Sequence, residues 1–458
     1  MRQILSIFVF ICWVLLSNTY SADDSDFTDI IETDTGFKTS FINIGQGNAS
    51  VVIDNTTGKR IFIDSGSSQH PIHPQTKIKG VAWDNLREHM EFIPCALENQ
   101  PVIFVCSHPD KDHLNLFSNF ISLVKDHLTK NPNISFYLGG SFEKYLCSSD
   151  SLNFFNSIFI LPSPQIFSVS HALSAHEMQA LHIETESKRL ILGVADGHEG
   201  IKEALTREIK LGIQEKVRPF ILRSKLVGFS DPDGRIMTEI LCANAGHSSK
   251  RNYASSNFFE TELPSGEEEI INHDENVNSI IMRLIFYGSF SIIMTGDATG
   301  ITTDRLVKHF HVEGSNYNSL ACTASIACHH GAITEESNNR EWGFITQPQY
   351  VIFSAGKYEK YHHPQFDALL NYSLSPRIIK DYQEHSILCA RNKDSNAIRE
   401  IIDHTYAFIS SHKKLTSTDF WHEIKTQYAL FSTHSSGTIV FHIGMGGVLK
   451  PLELVWSK

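Results

Sequence analysis

Apolar residues in this chain cluster in short runs, most of them bounded by turn-forming or polar residues. Val102–Val105, inside PVIFVCSHPDKDHLNL, is such a run and predicts a buried strand. Phe41–Ile53 (FINIGQGNASVVI) predicts a strand, a Gly-rich turn and a second strand, with Gly45 and Gly47 permitting a tight turn at positive φ. Ile61–Gly66 (IFIDSG), Ile134–Tyr137, Arg235–Ala243, Ala324–Cys328 and Tyr350–Phe353 read as strands, and Ser279–Phe286 with Phe290–Met294 as a hairpin. So do Ile158–Leu161, Ala180–Glu184 and Arg189–Val194. Phe117–Lys130 instead carries Phe117, Phe120, Ile121 and Val124 at helical spacing and predicts an amphipathic helix; Lys202–Lys216 predicts a charged one. Gln69–Gln100 reads as a loop-and-helix insertion over a strand end, and Ser249–Asn276 as a polar, acidic surface loop. Strands interleaved with helices make this an α/β chain.

The start of the chain has a different pattern. Arg2 precedes an apolar run, Ile4–Leu16, and then small and polar residues follow. Thirteen apolar residues are short for a bilayer and fit the core of a signal peptide, with cleavage after Ser21. The expected organisation is therefore a signal peptide over 1–21 and one domain over 22–458, with insertions near 67–100, 141–225 and 375–425. The expected location is secreted or periplasmic, with no stable membrane insertion after cleavage. A length of 458 residues and a hydrophobic content of 41% allow a sizeable core. The net charge of −12 argues against a broad basic surface for nucleic acid, though it leaves room for a local patch. Without Cys12, seven scattered cysteines remain, which is no disulfide framework.

The chemistry sits at the ends of the predicted strands. After Val102–Val105 come His108, Asp110, Asp112 and His113. Pro109 keeps His108 out of the helical region, so His108 lies on a turn, and Asp112 and His113 open a helix carrying Leu114 and Leu116. Imidazole nitrogens and carboxylate oxygens at this density suit a divalent ion such as Zn or Mn. Asp297 ends the strand Phe290–Met294, and His329-His330-Gly331 ends Ala324–Cys328. Tyr361-His362-His363-Pro364 follows Tyr350–Phe353. With 24 histidines, about one His-His doublet is expected by chance, so the doublets count only because each follows a strand-like run. Ligands at several strand ends of one sheet sandwich converge on one cavity.

The motifs INIGQGNASVVI, FIDSG, SHPDKDH, ENVNSIIMRLIFYGSFSIIMTGDA, CHHGA, FSAGKYEKYHHP and LFSTHSSGTIVFHI, in that order, resemble those of the metallo-β-lactamase superfamily. The nearest branch contains the C-terminal domain of ComEC-type competence DNA-uptake proteins, together with secreted phosphorylcholine esterases. The resemblance spans about residues 38–445. It implies a four-layer αββα sandwich with two divalent metal ions, Zn or Mn, at the edge where strand ends meet. It implies His108 and Asp110 on the first metal, Asp112 and His113 on the second, Asp297 between them, and His363 completing the second site. Asp110 stands where the usual motif has a second His. His330 or His329 would contact the scissile phosphate, and His330 would protonate the leaving group. The third His motif of the superfamily has no clear occupant: His247 and Asn278 are the candidates, with His182 and His198 behind them.

The implied function is an exported metal-dependent hydrolase, a phosphoesterase acting on a small-molecule or phosphodiester substrate, with nucleases included. Asp112, His330 and His329 are its candidate catalytic residues. The chain has no G-x-S-x-G setting for a nucleophilic Ser. The rival readings are a hydrolase of a carboxyl ester, lactone or amide, and a non-catalytic host- or surface-interaction protein that keeps the fold.

Overall fold

The computed structural model describes residues 35–68, 100–140, 145, 148–161, 164–168, 234–243, 245, 275–312, 320–333, 336–358, 360–390, 421–447, 449 and 452–455, with positions 86 and 98 alone. The expected signal peptide, the strands at 180–184 and 189–194, the helix at 202–216 and most of the three insertions lie outside the described residues, as do His182, His198 and His247.

Sixteen strands are described. The first six are β1 (Phe37–Phe41), β2 (Gly47–Asp54), β3 (Arg60–Ser67), β4 (Val102–Cys106), β5 (Ile134–Leu138) and β6 (Gln165–Ser168). The next five are β7 (Ile236–Cys242), β8 (Ile281–Phe286), β9 (Phe290–Met294), β10 (Ala324–Ile326) and β11 (Tyr350–Phe353). Then come β12 (His385–Ala390), β13 (Trp421–Thr426), β14 (Leu430–Ser432), β15 (Thr438–Ile443) and β16 (Glu453–Val455). One sheet has the order β16-β15-β1-β2-β3-β4-β5-β6, a second β14-β11-β10-β9-β8-β7, and β12-β13 form a separate hairpin. In the first sheet β3 to β6 run parallel, and in the second β9, β10, β11 and β14 do. The expected four-layer αββα sandwich is the architecture found.

Alternation along the strands builds the layers. In β3, Ile61 and Ile63 face the other sheet while Phe62 faces outward to helices; in β4, Ile103 and Val105 face in while Phe104 faces out. In β9, Ile292 and Met294 join the inter-sheet core and Ile293 the outer one. Such strands, buried on both faces, read as continuous apolar runs, which is why the sequence exposes them. Phe62, Phe104 and Phe136 stand side by side on β3, β4 and β5, with centroids 5.2 and 4.7 Å apart. Each such buried ring stabilises the fold by about 2 kcal/mol or more.

On the first sheet's outer face, α1 (Lys111–Leu114), α2 (Phe117–Leu128) and α3 (Ser149–Phe159) cover this aromatic row. On the second sheet's outer face, α4 (Gly300–Val312), α5 (Arg340–Thr346) and α6 (Phe366–Ser373) pack over Leu241, Ile281, Ile293, Val351 and Phe353. The apolar run Ile158–Leu161, expected as a strand, instead belongs to the end of α3. Ser148 caps that helix by accepting from the Ser151 N–H, and Phe154, Phe155 and Ile158 share a buried face at helical spacing. A four-residue apolar run does not by itself separate strand from helix. The helix opened by Lys111 also stops sooner than expected, at Leu114, and Leu116 precedes α2. Among the described residues no helix is long and apolar enough to cross a membrane.

Candidate metal centre

The parallel strands β3, β4, β9, β10 and β11 deliver their carboxyl ends to one edge of the sandwich. The residues just beyond β4 are held by β3. Asp64 of β3, in a left-handed conformation (φ 51°), accepts from the Ser107 N–H at 2.7 Å and the Ser107 hydroxyl at 2.9 Å. Helix α1 then lies directly on β3. A Cβ on Gly66 would fall 2.4 Å from the His113 nitrogen and 2.5 Å from the Asp112 carbonyl carbon, so only glycine admits α1 at this distance. Asn115 finishes the helix by accepting from the Ser67 N–H and donating to the Ser67 carbonyl, each at 2.9 Å.

The second sheet supplies the other half. Gly296, at φ 52°, lets the turn after β9 pass Ser107, whose Cβ would lie 2.7 Å from a Gly296 Cβ. The Asp297 N–H then donates to the Ser279 hydroxyl. After β10, His329 and His330 both adopt left-handed backbone (φ 46° and 56°), and Gly331 follows at 88°. Left-handed geometry at two non-glycine residues costs of order 1–3 kcal/mol each and persists only where the surroundings impose it. Here the His329 N–H donates to the Gly296 carbonyl, and Asn338 donates to the Cys328 carbonyl.

Two imidazoles, His113 and His330, carry a proton on Nδ1 because those atoms meet obligate acceptors, while His108 Nδ1 meets hydroxyls. His113 Nδ1 donates to Asp64 Oδ2 at 2.8 Å, and His330 Nδ1 donates to the Ser354 carbonyl at 2.6 Å. His108 Nδ1 lies 3.0 Å from the Ser107 hydroxyl and 3.3 Å from that of Ser279. Each ring therefore turns Nε2 inward, the arrangement by which an outer partner fixes a metal-binding histidine. The Nε2 atoms of His108, His113 and His330, with Asp297 Oδ1, are buried and have no hydrogen-bond partner among the described residues. His113 Nε2 lies 3.0 Å from Asp297 Oδ1, and His330 Nε2 lies 3.4 Å from the same oxygen. Asp112 Oδ2 is 3.6 Å from His330 Nε2 and accepts from Ser68.

Charge at this centre is self-consistent. Burial would raise the Asp297 carboxyl, but His113, His330 and His329 outweigh it and hold Asp297 well below the carboxylate range. Asp112 is likewise held low against its burial, by His330 and His113. Burial alone would lower His113, yet Asp297 and Asp64 push it well up. His330 follows the same logic and rises to about 10 through Asp297 and Asp112. The two remaining rings go the other way: burial lowers His329, and burial with the neighbouring His329 and His330 takes His363 down to about 3. Carboxylates buried this deeply demand compensating positive charge. Without a cation, protons on His113 and His330 supply it; a divalent ion held by the same atoms is the alternative.

Two groups have ligand atoms all within 4.8 Å of one another: His108, His113 and Asp297, and Asp112, His113 and His330. The nitrogen and carboxylate donors, inward-facing and without partners, fit a divalent ion. Asp110 is half exposed at 49% and lies 3.6 Å from His108 Nε2, outside both groups. His363 is buried near them, its ring 6.5 Å from that of His330, and also belongs to neither. His329 stands at the margin, 19% exposed, with Nε2 3.7 Å from Asp297 Oδ2. Asn278 is buried beside Ser279, with its amide turned to Glu275. Sequence reasoning gave no role to Asp64, Ser107 or Ser279. The one available signal was an Asp followed by small residues at the end of an apolar run.

The site and fold together define an αββα sandwich with a candidate divalent-metal centre at its strand ends. No protein-family model and no curated protein matches the sequence. Among solved structures, similarity is found to the long form of RNase Z from yeast, at 10% identity and a TM-score of 0.32. The match covers 77% of this chain and 41% of that one, so the chain spans well under half the length of that protein.

Proposed function

We propose that the chain is an exported metal-dependent hydrolase, a phosphoesterase acting on a phosphodiester. The observation that carries the reading is the convergence of His108, His113 and His330 Nε2 with Asp297 Oδ1, four buried ligand atoms without hydrogen-bond partners among the described residues. A divalent ion bound by these residues and Asp112 would lower the pKa of a bound water and polarise a phosphoryl oxygen. Asp64, Ser107, Ser279 and the Ser354 carbonyl orient the ligand rings from behind. His330, 2% exposed and grouped with Asp112 and His113, is assigned here to the metal rather than to the substrate. His329, more open and outside both groups, is the histidine left to face a phosphoryl oxygen. Export is proposed from the charged start and short apolar run of the first 21 residues.

Plasma mass spectrometry and phosphodiester turnover of two variants test these assignments. His330→Ala should lose metal as well as turnover. His329→Ala should keep metal and lose about 2–4 kcal/mol of barrier lowering. Full metal content in His330→Ala would refute the ligand assignment. A metal-free wild-type chain, or one that hydrolyses carboxyl esters and no phosphodiester, would refute the function.

A further inference from the structure

Two consecutive left-handed residues at His329 and His330 need a constraint from outside the turn, and a buried amide supplies it. Asn338 Nδ2 donates to the Cys328 carbonyl at 2.8 Å and to the Ala332 carbonyl at 2.5 Å. Those carbonyls flank the doublet and Gly331, so the two hydrogens of one amide span the turn. Asn338 Oδ1 accepts from the Tyr372 hydroxyl at 3.0 Å, which fixes the end of the amide that faces the turn. The Asn338 backbone carbonyl accepts from Asn371 Nδ2 at 2.8 Å. Asn338 is 0% exposed and Tyr372 1%. Helix α6 therefore grips Asn338 by side chain and by backbone. The residue just before that helix holds the turn as well. The Gln365 N–H donates to the Gly331 carbonyl at 2.9 Å, and Gln365 Oε1 accepts from the Ile333 N–H at 2.7 Å.

We propose that Asn338, oriented by Tyr372, is the positioning residue that divides the doublet, holding His330 Nε2 in the ligand set and His329 outside it. The inference deepens the metal-centre reading and rests on it. Among the described residues, Asn338 and Tyr372 bond to neither histidine ring; Asn338 acts on the carbonyls at the two ends of the turn. Released from that span, the backbone of His329 and His330 can return to the right-handed or extended regions that non-glycine residues favour. Such a rotation takes His330 Nδ1 off the Ser354 carbonyl and Nε2 away from Asp112 and Asp297. The division of roles between two adjacent histidines is thus written in a side chain eight residues further on, with its orientation set from a second helix.

Two variants of the full chain test it. Asn338→Asp offers at most one hydrogen where the amide offers two, at nearly unchanged volume. Tyr372→Phe keeps the amide and removes the hydroxyl that orients it. Cobalt affinity, read by chelator competition, should weaken about tenfold in Asn338→Asp. In Tyr372→Phe it should weaken about fivefold. At saturating cobalt the visible d–d bands of both variants should shift, because an imidazole donor is displaced. Proton NMR in chelator gives a metal-free reading. The His330 Nδ1 proton on the Ser354 carbonyl should appear as a downfield imidazole signal that is missing in His330→Ala. It should move in both variants, while the His113 Nδ1 signal on Asp64 stays. A folded variant with unchanged cobalt bands or an unmoved His330 signal would overturn the proposal; weaker affinity alone marks a merely structural role. If Asn338→Asp does not fold, Tyr372→Phe decides by the same readings. If wild type takes up no divalent ion, the metal reading falls and the imidazole signals alone decide. Movement confined to His330 then upholds the positioning role, and an unmoved signal removes it.

Discussion

Asp64→Asn is a nearly isosteric change with a defined electronic consequence. Asp64 Oδ1 accepts from the Ser107 N–H, and an asparagine oxygen there keeps that bond. Oδ2 accepts from the Ser107 hydroxyl at 2.9 Å and from His113 Nδ1 at 2.8 Å. An amide NH2 in its place is a donor and meets a ring nitrogen that was itself donating. In the neutral ring that a metal requires, the conflict is relieved by carrying the His113 proton on Nε2, the atom that faces Asp297. A protonated Nε2 does not ligate. Loss of such an outer partner typically costs 10–100-fold in metal affinity. That corresponds to about 1.4–2.8 kcal/mol. A further loss of about 1.5–3 kcal/mol in metal-free stability is expected, because a charged acceptor of buried hydrogen bonds is removed. Competition against a chromogenic chelator reads the affinity, and urea unfolding in chelator reads the stability. A folded variant with metal affinity within twofold of wild type would refute the tautomer argument.

Gly66→Ala should displace α1 from β3, because the added Cβ meets backbone rather than a flexible side chain; overpacking of this kind costs about 1–3 kcal/mol. Metal content and thermal unfolding check it, and an unperturbed variant would mean that α1 does not sit this close. Metal uptake should release about two protons near pH 7, one each from His113 and His330, read as buffer-dependent heat in calorimetry. His330 is raised from 6.5 to about 10, so in the metal-free chain its contribution to stability is complete below about pH 6.5 and lost as pH rises through 10. Urea midpoints across that range in chelator, and again with metal bound, separate the two states. Mass spectrometry of the exported chain should find its start at Ala22, and an intact Met1 in a membrane fraction would reject export.

What the sequence disclosed and what it withheld divide along one physical line. Strands buried on both faces are continuous apolar runs, so β2, β3, β4, β9 and β11 were visible, and with them the fact that ligand-type residues follow β4, β9 and β10. Convergence of those ends on one edge then follows from a sheet sandwich. Roles that depend on tertiary pairing were hidden. Asp64 lies 43 residues from Ser107 and 49 from His113, and nothing local marks it as their partner. Which ring of the His329–His330 doublet lies inside was hidden for a different reason: it depends on backbone conformation, not on order. Two consecutive left-handed residues turn the chain sharply, so neighbouring rings leave it in different directions. His330 is driven inward between Asp112 and Asp297 and is pinned there by the Ser354 carbonyl, while His329 stays at the margin. A strand continued through Ala324–Cys328 would have sent the doublet's rings to opposite faces of the sheet, with only one at the centre. The structure ends β10 at Ile326 instead. The two left-handed residues that follow place the His330 ring between Asp112 and Asp297 and leave His329 at the margin, 19% exposed.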